Sequence, residues 1–139
     1  CLVLADGFYE WRHHGGGKMP MHIVTNHGAP FAMAGLWETW RDPTESGDAS
    51  PDAALVRTCT VLTTTPNELI APIHNRMPVI LPREAWAAWL APNNPGPQAL
   101  LPLLQPYPAA LMAAYEVSPL VNSVRNDVPR CVEPVLRLL

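Results

Sequence analysis

No run of apolar residues approaches the ~18–20 that a membrane-crossing helix needs, and no stretch has the layout of a signal peptide. Excess positive charge is also missing. The formal net charge over 139 residues is −3, which does not mark a protein held to nucleic acid by bulk electrostatics. Cysteine is scarce: Cys1, Cys59 and Cys131 are the only three. An odd count without CxxC spacing argues against a disulfide framework or a zinc cage and fits a reducing compartment. There is no P-loop, GxSxG, HExxH or GxGxxG, so nucleotide hydrolysis and the common hydrolase chemistries lose support.

Proline is abundant. The 17 prolines are about 12% of the chain against an average near 5%, which predicts short elements and fixed turns. Asp42, Glu45, Asp48 and Asp52 fall in one stretch with no Lys or Arg between them. The remainder is near neutral, which permits a local basic groove. The stretch itself, 42–55, reads as an acidic surface loop that would repel phosphate. The chain begins inside a strand-like run, Cys1-Leu2-Val3-Leu4. This predicts that an N-terminal part precedes these residues.

The pattern predicts one α+β domain over 1–139, mostly antiparallel. Cys1–Leu4 reads as a buried strand and Phe8–Arg12 as a second, after an Asp6-Gly7 turn. Residues 13–18 read as a flexible connection. Met21–Thr25 and Phe31–Trp37 flank the turn signal Asn26-His27-Gly28, predicting a hairpin. Arg57–Thr65 reads as a central strand. A short helix starts at Thr65-Pro66-Asn67-Glu68, with Thr65 as its cap. Met77–Leu81 is a further short strand. Pro82–Ala91 reads as a helix with Trp86, Trp89 and Leu90 on one face. Gln98–Leu104 and Ala109–Tyr115 read as helical, and Glu116–Val121 as extended.

Few residues are candidates for chemistry. Glu10 lies within Phe8-Tyr9-Glu10-Trp11. It is either the outward face of a strand or an acid set among aromatics for proton transfer. His74 is framed by Pro72 and Pro78, which hold its imidazole in a rigid, irregular segment. Arg76, two residues on, is a surface ion-pair partner or a phosphate contact. His13, His14 and His27 sit beside glycines and read as exposed. Trp86 and Trp89 read as core. Trp11, Trp37 and Trp40 are candidates for stacking on bases. Cys1 offers an amine and a thiol together, but reads first as a buried strand residue. Cys59 reads as core, and with His74 it is a candidate cysteine-hydrolase pair. Asn122, Asn126 and Asp127 read as turn and cap residues.

Four segments occur in one order: "ADGFYEW", "FAMAGLWETW", "TCTVLTTTPNELIAPIHNRMPVIL" and "VNSVRNDVPRCVEP". Together they resemble the SRAP family, the SOS response-associated peptidases. Only 42–55 and the residues after Pro134 fall outside the resemblance. It implies a barrel-like set of antiparallel strands with short peripheral helices. It also implies binding of single-stranded DNA carrying abasic sites, and a thiazolidine DNA–protein cross-link through an N-terminal Cys. Removal of the initiator Met, a cytoplasmic, nucleoid-associated bacterial setting and no metal or organic cofactor are further implications. Carried over by motif, Glu10 and His74 are the catalytic residues, Arg76 a DNA-backbone contact, and Trp11 and Met77 lining residues. Cys1 aligns with an internal family cysteine. The nucleophilic Cys and an upstream Asn of the family therefore belong ahead of these residues. A non-catalytic module that only binds single-stranded DNA remains the competing class.

Overall fold

The computed structural model describes residues 1–25, 28–41, 55–93 and 96–135. The acidic stretch expected over 42–55 lies outside them, except for Leu55. Among the described residues nine strands run in chain order: β1 (Leu2–Ala5), β2 (Phe8–His14), β3 (Gly17–Thr25), β4 (Phe31–Arg41), β5 (Leu55–Val61), β6 (Thr63–Thr64), β7 (Met77–Pro78), β8 (Ile80–Leu81) and β9 (Met112–Glu116). Two short helices, α1 (Trp86–Leu90) and α2 (Pro97–Leu100), lie between β8 and β9. No helix among the described residues is long and apolar enough to cross a membrane.

All strand pairing is antiparallel, as the sequence predicts, but the sheets stay open and no barrel closes among the described residues. One sheet runs β1-β4-β5 with β8 also on β4, a second runs β2-β3-β9, and β6 pairs β7. The hairpin expected between β3 and β4 is therefore absent. Instead β2 and β3 form the hairpin, Glu10 opposite Met21 and His13 opposite Lys18. Gly15 and Gly16, at φ 55° and 80°, supply the left-handed turn that the "flexible" Gly run conceals.

Three further expectations change. Leu55–Val61 is an edge strand in the described sheet with Cys59 exposed, because Thr and Val report a pleated surface rather than burial. Over 109–115 the Ala-rich run forms a 3₁₀ turn, Ala109–Leu111, and then β9, because pairing with β3 overrides helix propensity. Segment 116–121 turns into a 3₁₀ stretch, Pro119–Asn122, where Ser118 accepts a hydrogen bond from the Leu120 N–H. Leu90 is 52% exposed. By contrast Trp86 and Trp89 pack against Ala34, Val79 and Leu81 as expected.

The larger core cluster joins Met19, Met21 and Ile23 of β3 to Ile70, Ile73 and Met77. Phe8 of β2 packs on it and meets Phe31 of β4 edge to face at 6.4 Å, linking the two large sheets. Leu4 is 68% exposed and Cys1 only half-buried, so the first strand is less buried than its composition suggests.

Candidate functional site

His74 stands on the loop 65–76 of the β6–β7 hairpin, closed by Thr64 opposite Met77. Asn67, not Thr65, organises this loop. Its Oδ1 accepts from the Leu69 and Ile70 N–H groups at 3.1 and 3.0 Å, and its Nδ2 donates to the Tyr107 carbonyl at 2.6 Å. Ile70 and Ile73 are thereby driven into the core. The His74 N–H donates to the Ile70 carbonyl at 2.9 Å, which turns the imidazole outward.

The ring is held locally. His74 Nδ1 lies 2.9 Å from the Arg76 carbonyl oxygen and 3.2 Å from the Arg76 nitrogen. Either neutral tautomer thus finds a partner on Arg76. Among the described residues Nε2 has no hydrogen-bond partner and remains available to a ligand.

Glu10 comes to the same place from the other side. Along β2 the residues opposite Met19, Met21 and Ile23 are Arg12, Glu10 and Phe8. They share the core-facing side. Phe8 is covered by the core, while Glu10 sits further out, where the cover ends. Its Oε1 is 3.6 Å from His74 Nδ1, with the carboxylate side chain 22% exposed. That is beyond hydrogen-bond distance but close enough for the pair to act on one ligand atom.

The opposite face of β2 carries Tyr9 and Trp11, and both reach the C-terminal segment. Tyr9 Oη donates to the Cys131 carbonyl at 3.2 Å, and Trp11 Nε1 donates to Asn122 Oδ1 at 2.8 Å. Because β2 is the edge of its described sheet, one cleft wraps that edge and collects residues from both faces. It is about 900 Å³, with Glu10, Trp11, His13 and Lys18 from the hairpin, His74 and Asn75 from the loop, and Asn122 and Val124 from the C-terminal segment.

Behind the cleft His22 is buried between two tyrosines. Its Nδ1 lies 2.8 Å from Tyr115 Oη, and its ring is 5.0 Å from that of Tyr9 and 5.3 Å from that of Tyr115. Burial pushes the His22 pKa below its usual value, partly opposed by the Asp6 carboxylate. Burial raises Tyr115 and, with smaller contributions from Cys131, Tyr115 and Asp6, raises Tyr9.

The sequence candidates thus divide. Glu10, Trp11 and His74 meet in the cleft. Arg76 is exposed but does not line it. Its Nε and Nη2 donate to Thr63 Oγ1 at 3.1 and 2.7 Å. Met77 is a core residue, 1% exposed, its sulfur accepting the Asn67 N–H at 3.3 Å, so it does not line the cleft either. Cys1 and Cys59 line a different cleft, of about 700 Å³, with Trp37 and Arg57. This separates Cys59 from His74 and weakens the hydrolase pairing. Cys1 is tied into β-type pairing: its nitrogen donates to the Gly35 carbonyl at 2.8 Å, and its own carbonyl accepts from the Gly35 N–H and the Trp89 indole N–H. Cys131 is buried, its thiol directed at the Asn126 carbonyl. Trp37 and Trp40 are exposed at 63% and 50%, away from the Glu10–His74 cleft. His13, Lys18 and Asn122 were not anticipated there. The alternation of His13 with Trp11 and the Gly-Gly turn were the available signals for the first two. Asn122 has no local signal.

The family model for SOS response associated peptidase (SRAP) matches residues 1–124. The chain is 46% identical over 134 residues to the abasic site processing protein YoqW of Bacillus subtilis, covering 96% of this chain and 56% of that protein. It is 36% identical over 154 residues to the abasic site processing protein HMCES of Gallus gallus, covering 97% of this chain and 43% of that protein. The chain thus spans about half the length of these relatives. A crystal structure of a protein from Bacteroides thetaiotaomicron superposes with a TM-score of 0.83 at 31% identity, over 98% of this chain and 56% of the other. One from Bordetella bronchiseptica gives 0.71 at 29%, over 85% and 54%. On motif, fold and similarity alike, the chain belongs to the SRAP family.

Proposed function

We propose that this chain forms the acid–base and DNA-binding half of an abasic-site processing protein. The observation that carries the reading is the convergence of Glu10 and His74, 3.6 Å apart, in one open cleft walled by an indole. The names of the YoqW and HMCES relatives support the substrate class. The ligand is single-stranded DNA, whose backbone can bend an abasic deoxyribose into the cleft. Trp11 meets a base or sugar there, and Arg76, outside the cleft, a phosphate.

The chemistry needs protons moved at two oxygens. As the deoxyribose opens to its aldehyde, Glu10 takes the proton of the anomeric hydroxyl and delivers one to the sugar ring oxygen, ending in the state in which it began. The α-amine of an N-terminal Cys adds to the aldehyde carbon. His74 protonates the resulting hydroxyl, which leaves as water, and the nitrogen proton of the iminium so formed returns to His74, giving an imine. The Cys sulfur then adds to the imine carbon while the thiol proton passes to nitrogen, closing a thiazolidine. None of Cys1, Cys59 and Cys131 lines the Glu10–His74 cleft, so the nucleophile is a Cys supplied by a longer form. The same α-amine arises when that form removes its initiator Met. Glu10 and His74 contribute rate rather than the covalent bond, each worth ~10²–10⁴-fold.

The test is adduct formation with an oligodeoxynucleotide carrying one abasic site, read on a denaturing gel. The 139-residue chain should bind the oligonucleotide and form no adduct. A form extended with a Met-Cys-Gly-type start should form one. In that form Glu10→Gln or His74→Ala should slow the reaction by ~10²-fold or more. An adduct made by the 139-residue chain and abolished by Cys1→Ala would overturn the assignment. So would an extended form indifferent to both cleft substitutions.

A further inference from the structure

Segment 118–131 is fastened to itself before it is fastened to the sheet. The Val121 and Ser123 N–H groups donate to the Ser118 and Leu120 carbonyls at 3.2 Å. Asn126 Nδ2 donates back to the Leu120 carbonyl at 2.8 Å. The result is a closed turn that receives two side-chain hydrogen bonds from β2 among the described residues. Tyr9 makes one of them, to Cys131 behind the cleft. Trp11 makes the other, to Asn122, and both of its members line the cleft. These partners are 111 residues apart in sequence. The bond engages the only hydrogen-bonding atom of the indole, so it restrains the ring where it lines the cleft. Beside it, Val124 stands fully exposed on the rim.

We propose that Asn122 is a positioning residue. By accepting the Trp11 N–H it holds the indole as a preset stacking wall for an unpaired nucleobase next to the abasic sugar, and it does not itself touch the DNA. This rests on the single-stranded DNA reading above and extends it to a residue whose sequence context suggests only a turn. The physical basis is pre-organisation. A ring already oriented loses less freedom when a base stacks on it. Asn122 should therefore act on affinity only through Trp11.

A double-mutant cycle on the intact chain tests this. The probe is a fluorescein-labelled single-stranded oligonucleotide with one tetrahydrofuran abasic analogue, read by anisotropy over a range of salt. Asn122→Ala removes the acceptor. Trp11→Phe keeps a ring and removes the donor. Each should weaken binding by about five- to tenfold, part of the ~5- to 150-fold that one base–aromatic stack is worth. The double variant should be no weaker than the weaker single. The slope of log K against log salt should not change, because no phosphate contact is lost. Should Asn122→Ala fail to fold, Trp11→Phe carries the test alone, with an unchanged thermal midpoint and reduced affinity as the expected result. Additive losses would mean that Asn122 contacts the DNA and would overturn the proposal. Full affinity in both singles, or a slope shallower by about one, would do the same. Failure of the unsubstituted chain to bind the probe overturns the functional reading itself, and is visible before any variant is made.

Discussion

Replacing Gly7 by Ala should unfold the protein more readily, although nothing in the backbone forbids Ala there. Gly7 is not among the glycines with positive φ. Removing its extra freedom from the unfolded chain should by itself stabilise by about 0.4–1 kcal/mol. The opposing effect is steric. A Cβ at Gly7 would overlap the His22 imidazole and sit 3.1 Å from the Ile23 carbonyl oxygen. The ring has little room to yield, being 6% exposed, hydrogen-bonded to Tyr115 and set between two tyrosines, tilted against Tyr9 and edge-on to Tyr115. Overpacking of this kind costs about 1–3 kcal/mol. Losing the His22–Tyr115 bond costs about 0.5–1.5 kcal/mol more. The steric loss wins, leaving a net destabilisation of about 1–3 kcal/mol. With a urea m-value of about 2 kcal/mol/M the midpoint should fall by about 1 M at unchanged m. In a His22→Ala background the same Gly7→Ala change should cost little, because the obstructing ring is gone. A midpoint that stays or rises on Gly7→Ala alone would refute the argument, and a loss of equal size in both backgrounds would place the cause elsewhere.

His22 also sets a pH dependence. The unfolded chain protonates at about 6.5, while burial holds the folded imidazole neutral to lower pH. Between the two values the unfolded state binds more protons. Stability is therefore full above about 6.5 and falls on acidification until the folded group titrates. The groups facing His22 are Asp6, Tyr9 and Tyr115. His22→Asn should flatten the urea midpoint between pH 7 and 5, and an equally steep fall in that variant would exonerate His22. Arg76→Ala should weaken single-strand binding and make the log–log salt slope shallower by about one phosphate contact. An unchanged slope would mean that its Thr63 bonds keep it for structure alone.

Phe8–Arg12 was legible as a strand, but its pairing with β3 was not, because the Gly-Gly turn that joins them reads as a flexible connection. What the strand pattern leaves open is which side of the core boundary Glu10 occupies. Alternation assigns it the face of Phe8, but the extent of cover depends on a loop that comes much later in the chain. His74 was legible from its prolines, although Asn67 rather than Thr65 closes that loop. Met77 was misplaced for a related reason: an apolar residue in a motif reads equally as lining or as core, and its sulfur is in fact used inside. β9 was hidden because Ala113 and Ala114 favour helix, and only the edge of β3 makes them a strand. Asn122 could not be read at all, since its partner lies 111 residues away.

The pairing of β3 with β9 has a consequence for synthesis. Ile23 lies opposite Ala114, so β3 leaves the ribosome about 90 residues before its partner, roughly 5–20 s earlier at ~5–20 residues per second. Throughout that interval the nascent hairpin presents an open hydrogen-bonding edge, with Met21 and Ile23 awaiting the cover that finally buries them. The cleft is completed later still, because Asn122 follows β9 in the chain. Slow elongation or a pause between these segments should therefore lower the yield of folded protein. Faster delivery of the C-terminal third, or a chaperone occupying the β3 edge, should raise it.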